Sequence, residues 1–405
     1  MFGRLERSLA EKQEYGVLEG AVRTEQPTDL PIVVVVYTGE DGAVQLIDEF
    51  VLAGPGPYFF TVRAGIYRIA AFEDVNRNFA YDSGLDLSAL LNAGAPVTVA
   101  GGTTVRDLDI DIRDTSRERM PFAFFSADNG GTAEKSLSDF HIGEVTRIDD
   151  PRFSNENGRL GLWQPADFLR QVGAGVYFLE PYDPRKIPVL FIHGAGGHPG
   201  NFAHLIARLD REHFQPWLVY YPTASRLEQT AMSIDRWVQY LYVTHRYQRM
   251  AVVAHSMGGL VARGFINRVI AANDGRAEGL RLFISMSTPW DGHRAAQSGV
   301  NRAPVVVPSW YDMAPGSPFL RSLLESELPP SLAYDLLFSY SGGSRLVRGA
   351  NDGAVTLVSQ LVMHAQTQSR IVRGFDETHR SILRSDNVAA LVNEQLAALP
   401  ATLAH

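Results

Sequence analysis

Met250-Ala251-Val252-Val253-Ala254-His255-Ser256-Met257-Gly258-Gly259-Leu260-Val261-Ala262-Arg263 is the stretch whose reading decides the fold. Met250 to Ala254 is a short apolar, partly β-branched run and reads as a buried strand; a helix-like segment near Gly258 to Ile270 follows it almost without a connection. So sharp a turn requires small flanking residues, the requirement of a nucleophile elbow, in which backbone strain thrusts the Ser256 hydroxyl out at the top of a sheet. The first glycine of the usual G-x-S-x-G is Ala254, which is still small. A serine in a plain strand-to-helix turn would instead serve as a cap, but the strand before it and the double glycine and helix after it favour the nucleophile.

The same alternation extends outward. Ile187 to Ile192 leads through Gly194 to Gly200 into a helix near Phe202 to Leu209. Trp217 to Tyr221 precedes a helix over roughly Leu227 to Tyr242, Leu282 to Ser287 is a further strand, and a last helix is predicted near Asn387 to Leu399. Strand and helix in turn predict an α/β, doubly wound, mostly parallel sheet covered on both faces. Phe140 to Tyr182 is expected to supply the opening strands.

A serine hydroxyl is a weak nucleophile and needs a base within hydrogen-bond reach. Reactive groups in such a sheet collect at the carboxyl ends of strands. Of 11 histidines, His379 follows the short apolar run Ser369 to Val372 in a turn-rich stretch, whereas His364 precedes that run and His405 is terminal. A carboxylate must orient the imidazole. Asp352, in Asn351-Asp352-Gly353 after the strand-like Ser344 to Val347, leads; Asp291 is the rival, Asp376 stands too close to His379, and Asn-Asp-Gly is also a good plain turn. For the oxyanion, backbone N–H groups of Met257 and of Ala195, in His193-Gly194-Ala195-Gly196-Gly197, are the candidates. That glycine-rich turn lacks the Gly-Lys-Ser/Thr ending of a phosphate loop.

Together these residues resemble the α/β-hydrolase superfamily, and within it bacterial lipases and esterases. The likeness rests on Pro188-Val189-Leu190-Phe191-Ile192-His193-Gly194, the Ser256 elbow, Ser287-Thr288-Pro289, Asn351-Asp352-Gly353 and His379, and spans roughly residues 140 to 405. Small bacterial lipases also carry alanine at the Ala254 position. The resemblance implies Ser256, Asp352 and His379 as nucleophile, acid and base, Ala195 and Met257 as the oxyanion hole, and acyl transfer to serine with no metal or organic cofactor. The implied substrate is a small-molecule or lipid ester. Phospholipid deacylation, acyl transfer and amide hydrolysis use the same triad, and a binding protein with a relict hydrolase fold is the reading from another class.

Arg294 to Gly343 is a long apolar insertion, expected to form a cap or lid with Trp310, Tyr311 and Phe319 on an acyl pocket. Ahead of the hydrolase-like part, at 1–135, the runs Ile32 to Tyr37, Ala43 to Leu52, Tyr58 to Val62, Tyr67 to Phe72 and Val97 to Ile112 predict an all-β sandwich, with Gly39-Glu40-Asp41-Gly42 as its first turn. Its pattern, and the Ala64-Gly65-Ile66-Tyr67 hairpin, look similar to prealbumin-like accessory modules, whose partner the sequence does not name. Asp74, Asn76, Asn78 and Asp82 resemble the D-x-N-x-N loop of calcium sites, but Phe79 and Leu85 occupy the positions where glycine and glutamate are wanted. A turn tied by Asx hydrogen bonds is the favoured reading.

The 405 residues exceed one domain. A net charge of −8 gives no general field for nucleic acid. No cysteine is present, which removes disulfides, thiolate metal sites and a thiol nucleophile. The charged start lacks an apolar signal segment, so the chain as written is expected to be soluble and cytoplasmic, or of the cell envelope or secreted if a signal lies upstream. No run is long enough to span a bilayer.

Overall fold

In the computed structural model, which describes residues 1–39, 44–118, 120, 140–343 and 349–399, two compact units are present. One comprises residues 1–6, 140–235 and 247–405; the other, 7–139 and 236–246. A single cut near residue 135 was the sequence expectation. The observed units are discontinuous because a linear pattern cannot reveal that the ends of two helices, Phe2–Lys12 and Leu227–His245, fall to different units.

The first unit is built on one eight-stranded sheet. In chain order its strands are Phe140–Val145, Ala174–Phe178, Ile187–Ile192, Phe214–Tyr220, Met250–His255, Leu280–Met286, Ala333–Ser339 and Ile371–Phe375. Across the sheet they lie first, second, fourth, third, fifth, sixth, seventh, eighth. The second and fourth pair antiparallel and every other pair is parallel. This is an α/β-hydrolase fold. Its central strands are buried along their whole length, Ile187–Ile192 and Met250–His255 among them, which explains why they read as unbroken apolar runs.

Two departures from the sequence reading have physical causes. The seventh strand is Ala333–Ser339, inside the stretch expected to be insertion up to Gly343, so the insertion shortens to 294–332. Asp335 breaks the apolar pattern there, yet it is 1% exposed and its carboxylate accepts two hydrogen bonds from Arg370, at 3.0 and 2.8 Å. A buried charge is tolerated when so paired. Ser344 to Val347, read as that strand, lies outside the described residues. Between the first two strands stand two helices that the sequence reading passed over, Asn155–Trp163 and Pro165–Gln171; Ser154 caps the one and Pro165 opens the other.

The second unit is all-β in its described N-terminal part beyond the opening helix. One sheet carries Gly56–Arg63 beside Tyr15–Thr24, which also pairs with Thr104–Val105 and Ile110–Ile112. The other runs Gln45–Leu52, Ile32–Thr38, Gly65–Glu73, Ser88–Leu90, with Val97–Val99 on Gly65–Glu73. Leu18 and Phe60 from one sheet and Val34 and Ile69 from the other share a single buried core. Tyr15–Thr24 was missed because Glu19 and Arg23 interrupt it. Most of the Gly39 to Gly42 turn lies outside the described residues.

The Asp74 loop is held by its own side chains. The Asp74 carboxylate accepts from the Asn78 and Phe79 amides, at 3.1 and 2.8 Å, while the Asn76 and Asn78 side-chain amides both donate to Asp82. Asp86 accepts from Val75 and Asp82. Among the described residues no group of three or more His, Asp or Glu is arranged to hold a metal ion. Asp74 is fully buried, so Asp74→Ala strands two amide donors and is expected to cost about 1–3 kcal/mol. Thermal unfolding of the full chain measures it; an unshifted midpoint would contradict the role given to this carboxylate.

Candidate active site

Ser256 stands between the fifth strand and the helix Met257–Ala272 with φ 55° and ψ −130°. That conformation is strained for any residue with a Cβ, and persists only where the surroundings over-determine it. Here the Ser256 amide donates to the Met286 carbonyl (2.8 Å) and its carbonyl accepts from Gly259 (2.9 Å). The helix approaches the third strand so closely that a Cβ on Gly258 would lie 2.3 Å from the Ile192 carbonyl oxygen, and one on Gly194 would lie 2.8 Å from the Ser256 Cβ. The double glycine and the glycine-rich loop are therefore spatial requirements of one junction.

The structure brings Ser256, His379 and Asp352 into a hydrogen-bonded chain. The Ser256 hydroxyl lies 2.9 Å from His379 Nε2, and His379 Nδ1 donates to Asp352 Oδ2 over 2.7 Å. His379 follows the eighth strand and Asp352 follows the seventh. The two loops are tied again by the His379 amide on the Asp352 carbonyl, 2.7 Å. Asp352 is fully buried. Its other hydrogen bonds come from the amides of Ala354 (2.9 Å) and Val355 (2.7 Å), the Ser339 hydroxyl (3.0 Å) and the Gln360 side chain (3.1 Å). Burial alone would raise its pKa; the His379 hydrogen bond and charge and the two amides outweigh that and hold the carboxyl below its usual value. Of its rivals, Asp291 and Asp376 are exposed, as is His364, and His405 lies outside the described residues.

Met257 opens its helix, so its N–H has no carbonyl one turn back to take. In the loop after the third strand, the Gly196 amide is taken by the Thr223 hydroxyl (3.0 Å) and the Gly197 amide by the Gly194 carbonyl (3.0 Å). Ala195 lies between these committed groups, in the wall of the cleft beside Ser256. The loop's base is fixed by Tyr221, whose hydroxyl donates to the His193 carbonyl (2.6 Å) and whose ring stacks on the imidazole at 4.5 Å.

A cavity of about 1080 Å³ opens on Ser256 and His379. Trp310, one of three residues expected to line it from the insertion, does so, together with Met313. The other two are placed elsewhere: Tyr311 is 47% exposed beside the Arg226 guanidinium, and Phe319 abuts the helix of the elbow near Gly264. The short helices Pro308–Met313 and Pro318–Leu323 turn these aromatics to different sides, which a bare apolar count does not foresee.

Four contributors went unread in the sequence. The His255 imidazole donates to the His379 carbonyl (2.7 Å), Ser339 and Gln360 hold Asp352, and Thr223 holds the glycine-rich loop at Gly196. His255, next to Ser256, and Ser339, at a strand end, carried a positional signal; Gln360 and Thr223 carried none.

Residues 223–314 match the family described as "Putative serine esterase (DUF676)". Among solved structures, the chain is similar to the mature lipase BlEst2 of Bacillus licheniformis, with 16% identity, 55% of this chain and 97% of that one covered, and a TM-score of 0.44. It is also similar to a lin2722 gene product of Listeria innocua (14%; 53% and 95% covered; 0.41) and to lipase B of Aspergillus fumigatus (14%; 55% and 56% covered; 0.41). No match among curated proteins reaches significance. The family match is confined to residues 223–314, and the fold is read from the chain's own strand order.

His193 and His255 are buried beside this centre, and burial above all lowers each from the ordinary 6.5 to about 3. Because the folded values lie below the unfolded ones, the unfolded chain binds more protons, and stability falls as pH drops from about 6.5 toward 3. Thermal unfolding at pH 7.5, 6 and 5 should show a declining midpoint, and a shallower decline for His255→Gln. An equal slope in the variant would contradict this. In a separate variant, Gly258→Ala should destabilise by about 1–3 kcal/mol through the clash at Ile192.

Proposed function

We propose that the protein is a serine hydrolase of carboxylic esters working through an acyl-enzyme on Ser256. The observation that carries this reading is the continuous hydrogen-bonded chain from Ser256 to His379 to Asp352 at the floor of an open cavity. As the hydroxyl oxygen attacks the ester carbonyl, its proton passes to His379 Nε2, and the buried Asp352 carboxylate stabilises the imidazolium. The N–H groups of Ala195 and Met257 receive the oxyanion. Collapse breaks the bond to the alcohol oxygen, and His379 returns the proton to the departing alcohol. A water then gives its proton to His379 and attacks the acyl carbon, releasing the acid and restoring Ser256. In that last collapse His379 returns the water's proton to the Ser256 oxygen, so His379 ends each cycle as it began.

Against a relict binding fold stands the cost of what is kept: a strained φ at Ser256 and a buried carboxylate with five hydrogen bonds. The segment 294–332, through Trp310 and Met313, is read as a wall of the acyl pocket. Phospholipid deacylation and acyl transfer are the same chemistry with another alcohol or acceptor. The N-terminal all-β part is read as an accessory module.

Ser256→Ala should reduce ester turnover by at least about 10⁴-fold with an unchanged unfolding midpoint, and should abolish labelling by a fluorophosphonate probe. Retained turnover, or an unlabelled folded wild type, would overturn the proposal. Trp310→Ala should shift the optimum of a p-nitrophenyl ester series to longer acyl chains; an unmoved profile would remove Trp310 from the acyl pocket.

A further inference from the structure

Two arginines line the cavity beside the candidate base. Arg380 follows His379 directly, and Arg384 lies at the other end of the short turn Ser381–Arg384. Both are exposed, and neither guanidinium pairs with a carboxylate among the described residues. Of the carboxylates near them in the chain, Asp386 is engaged by Arg208 and His204, at 2.5 and 3.1 Å, and Glu377 by the Ser381 hydroxyl, while Asp376 is exposed and outside the cavity lining. The remaining ionised group of the lining, Asp352, is buried beneath His379 with its oxygens committed. In a chain whose net charge is −8, the reaction cleft therefore carries a local excess of positive charge, and a cleft with low-dielectric walls focuses such a field on what enters it.

Resting on the serine-hydrolase reading, we infer that Arg380 and Arg384 are specificity-determining residues that select esters bearing an anionic group, a carboxylate or a phosphate, near the scissile carbonyl. Ser256, His379, Arg380 and Arg384 all line the same cavity, so a substrate seated at Ser256 shares that cavity with both guanidiniums. A guanidinium recognises either anion through paired N–H donors in one plane. The negative group is held without entering the chemistry: bonds form and break at Ser256 and the carbonyl alone, and the anion leaves with whichever product carries it.

The test compares kcat/KM for p-nitrophenyl hemiglutarate with that for its uncharged methyl ester, and, as a phosphate arm, phosphatidic acid with diacylglycerol in the same detergent micelles. The wild type should prefer the anionic member of at least one pair, and which pair responds identifies the anion. Each of Arg380→Gln and Arg384→Gln should lower that ratio about three-fold, and the double variant about ten-fold, as expected for solvent-screened pairs. The double substitution to lysine, which retains the charge, should restore most of the preference, and about 0.5 M NaCl should erode it in the wild type. A ratio near one in the wild type for both pairs, or one that the double glutamine variant leaves unchanged, overturns the inference while neutral-ester turnover still stands for the hydrolase. Absence of turnover on every ester, with no fluorophosphonate label at Ser256, overturns both.

Discussion

Everything in the site depends on one strained residue. Ser256 is held at φ 55° because the fifth strand must pass into a helix that presses against the carbonyls of Ile192 and His193. Strain of this kind costs of order 1–3 kcal/mol and must be offset by its surroundings. The Met286 carbonyl on the Ser256 amide, the absent side chains at Gly258 and Gly259, and the packed strand on either side provide that. The same junction exposes the hydroxyl, frees the Met257 N–H and brings the third strand's loop alongside.

From that point the sheet acts as a ruler. The seventh and eighth strands lie in parallel register beyond the sixth, and their carboxyl-end loops deliver Asp352 and His379 to the same edge. The buried carboxylate is affordable because five donors surround it, so its charge is met before any substrate arrives. His255 ties back to the His379 carbonyl, fixing the loop that carries His379 from the strand that leads into Ser256.

How much of this could be read from sequence follows from where the signal lies. The elbow was legible because steric demand writes itself into adjacent small residues, and the order serine, acid, histidine is a chain property. The strand at Ala333–Ser339 was not, since Asp335 looks like a break until Arg370, 35 positions on, is seen to pair with it. Tyr311 and Phe319 were misplaced because helix phase, rather than apolarity, decides which aromatic meets the cavity. Ser339, Gln360 and Thr223 act through folded contacts between distant segments, which no local pattern encodes.

The claim on which the account turns is that Ser256 becomes acylated. Mixing the protein with a p-nitrophenyl ester, quenching in acid within milliseconds and mapping the mass of the peptide that contains Ser256 tests it most directly. The account predicts one acyl group on that peptide, absent in Ser256→Ala. Turnover with an unmodified Ser256 peptide, or with the acyl group on another residue, would contradict it.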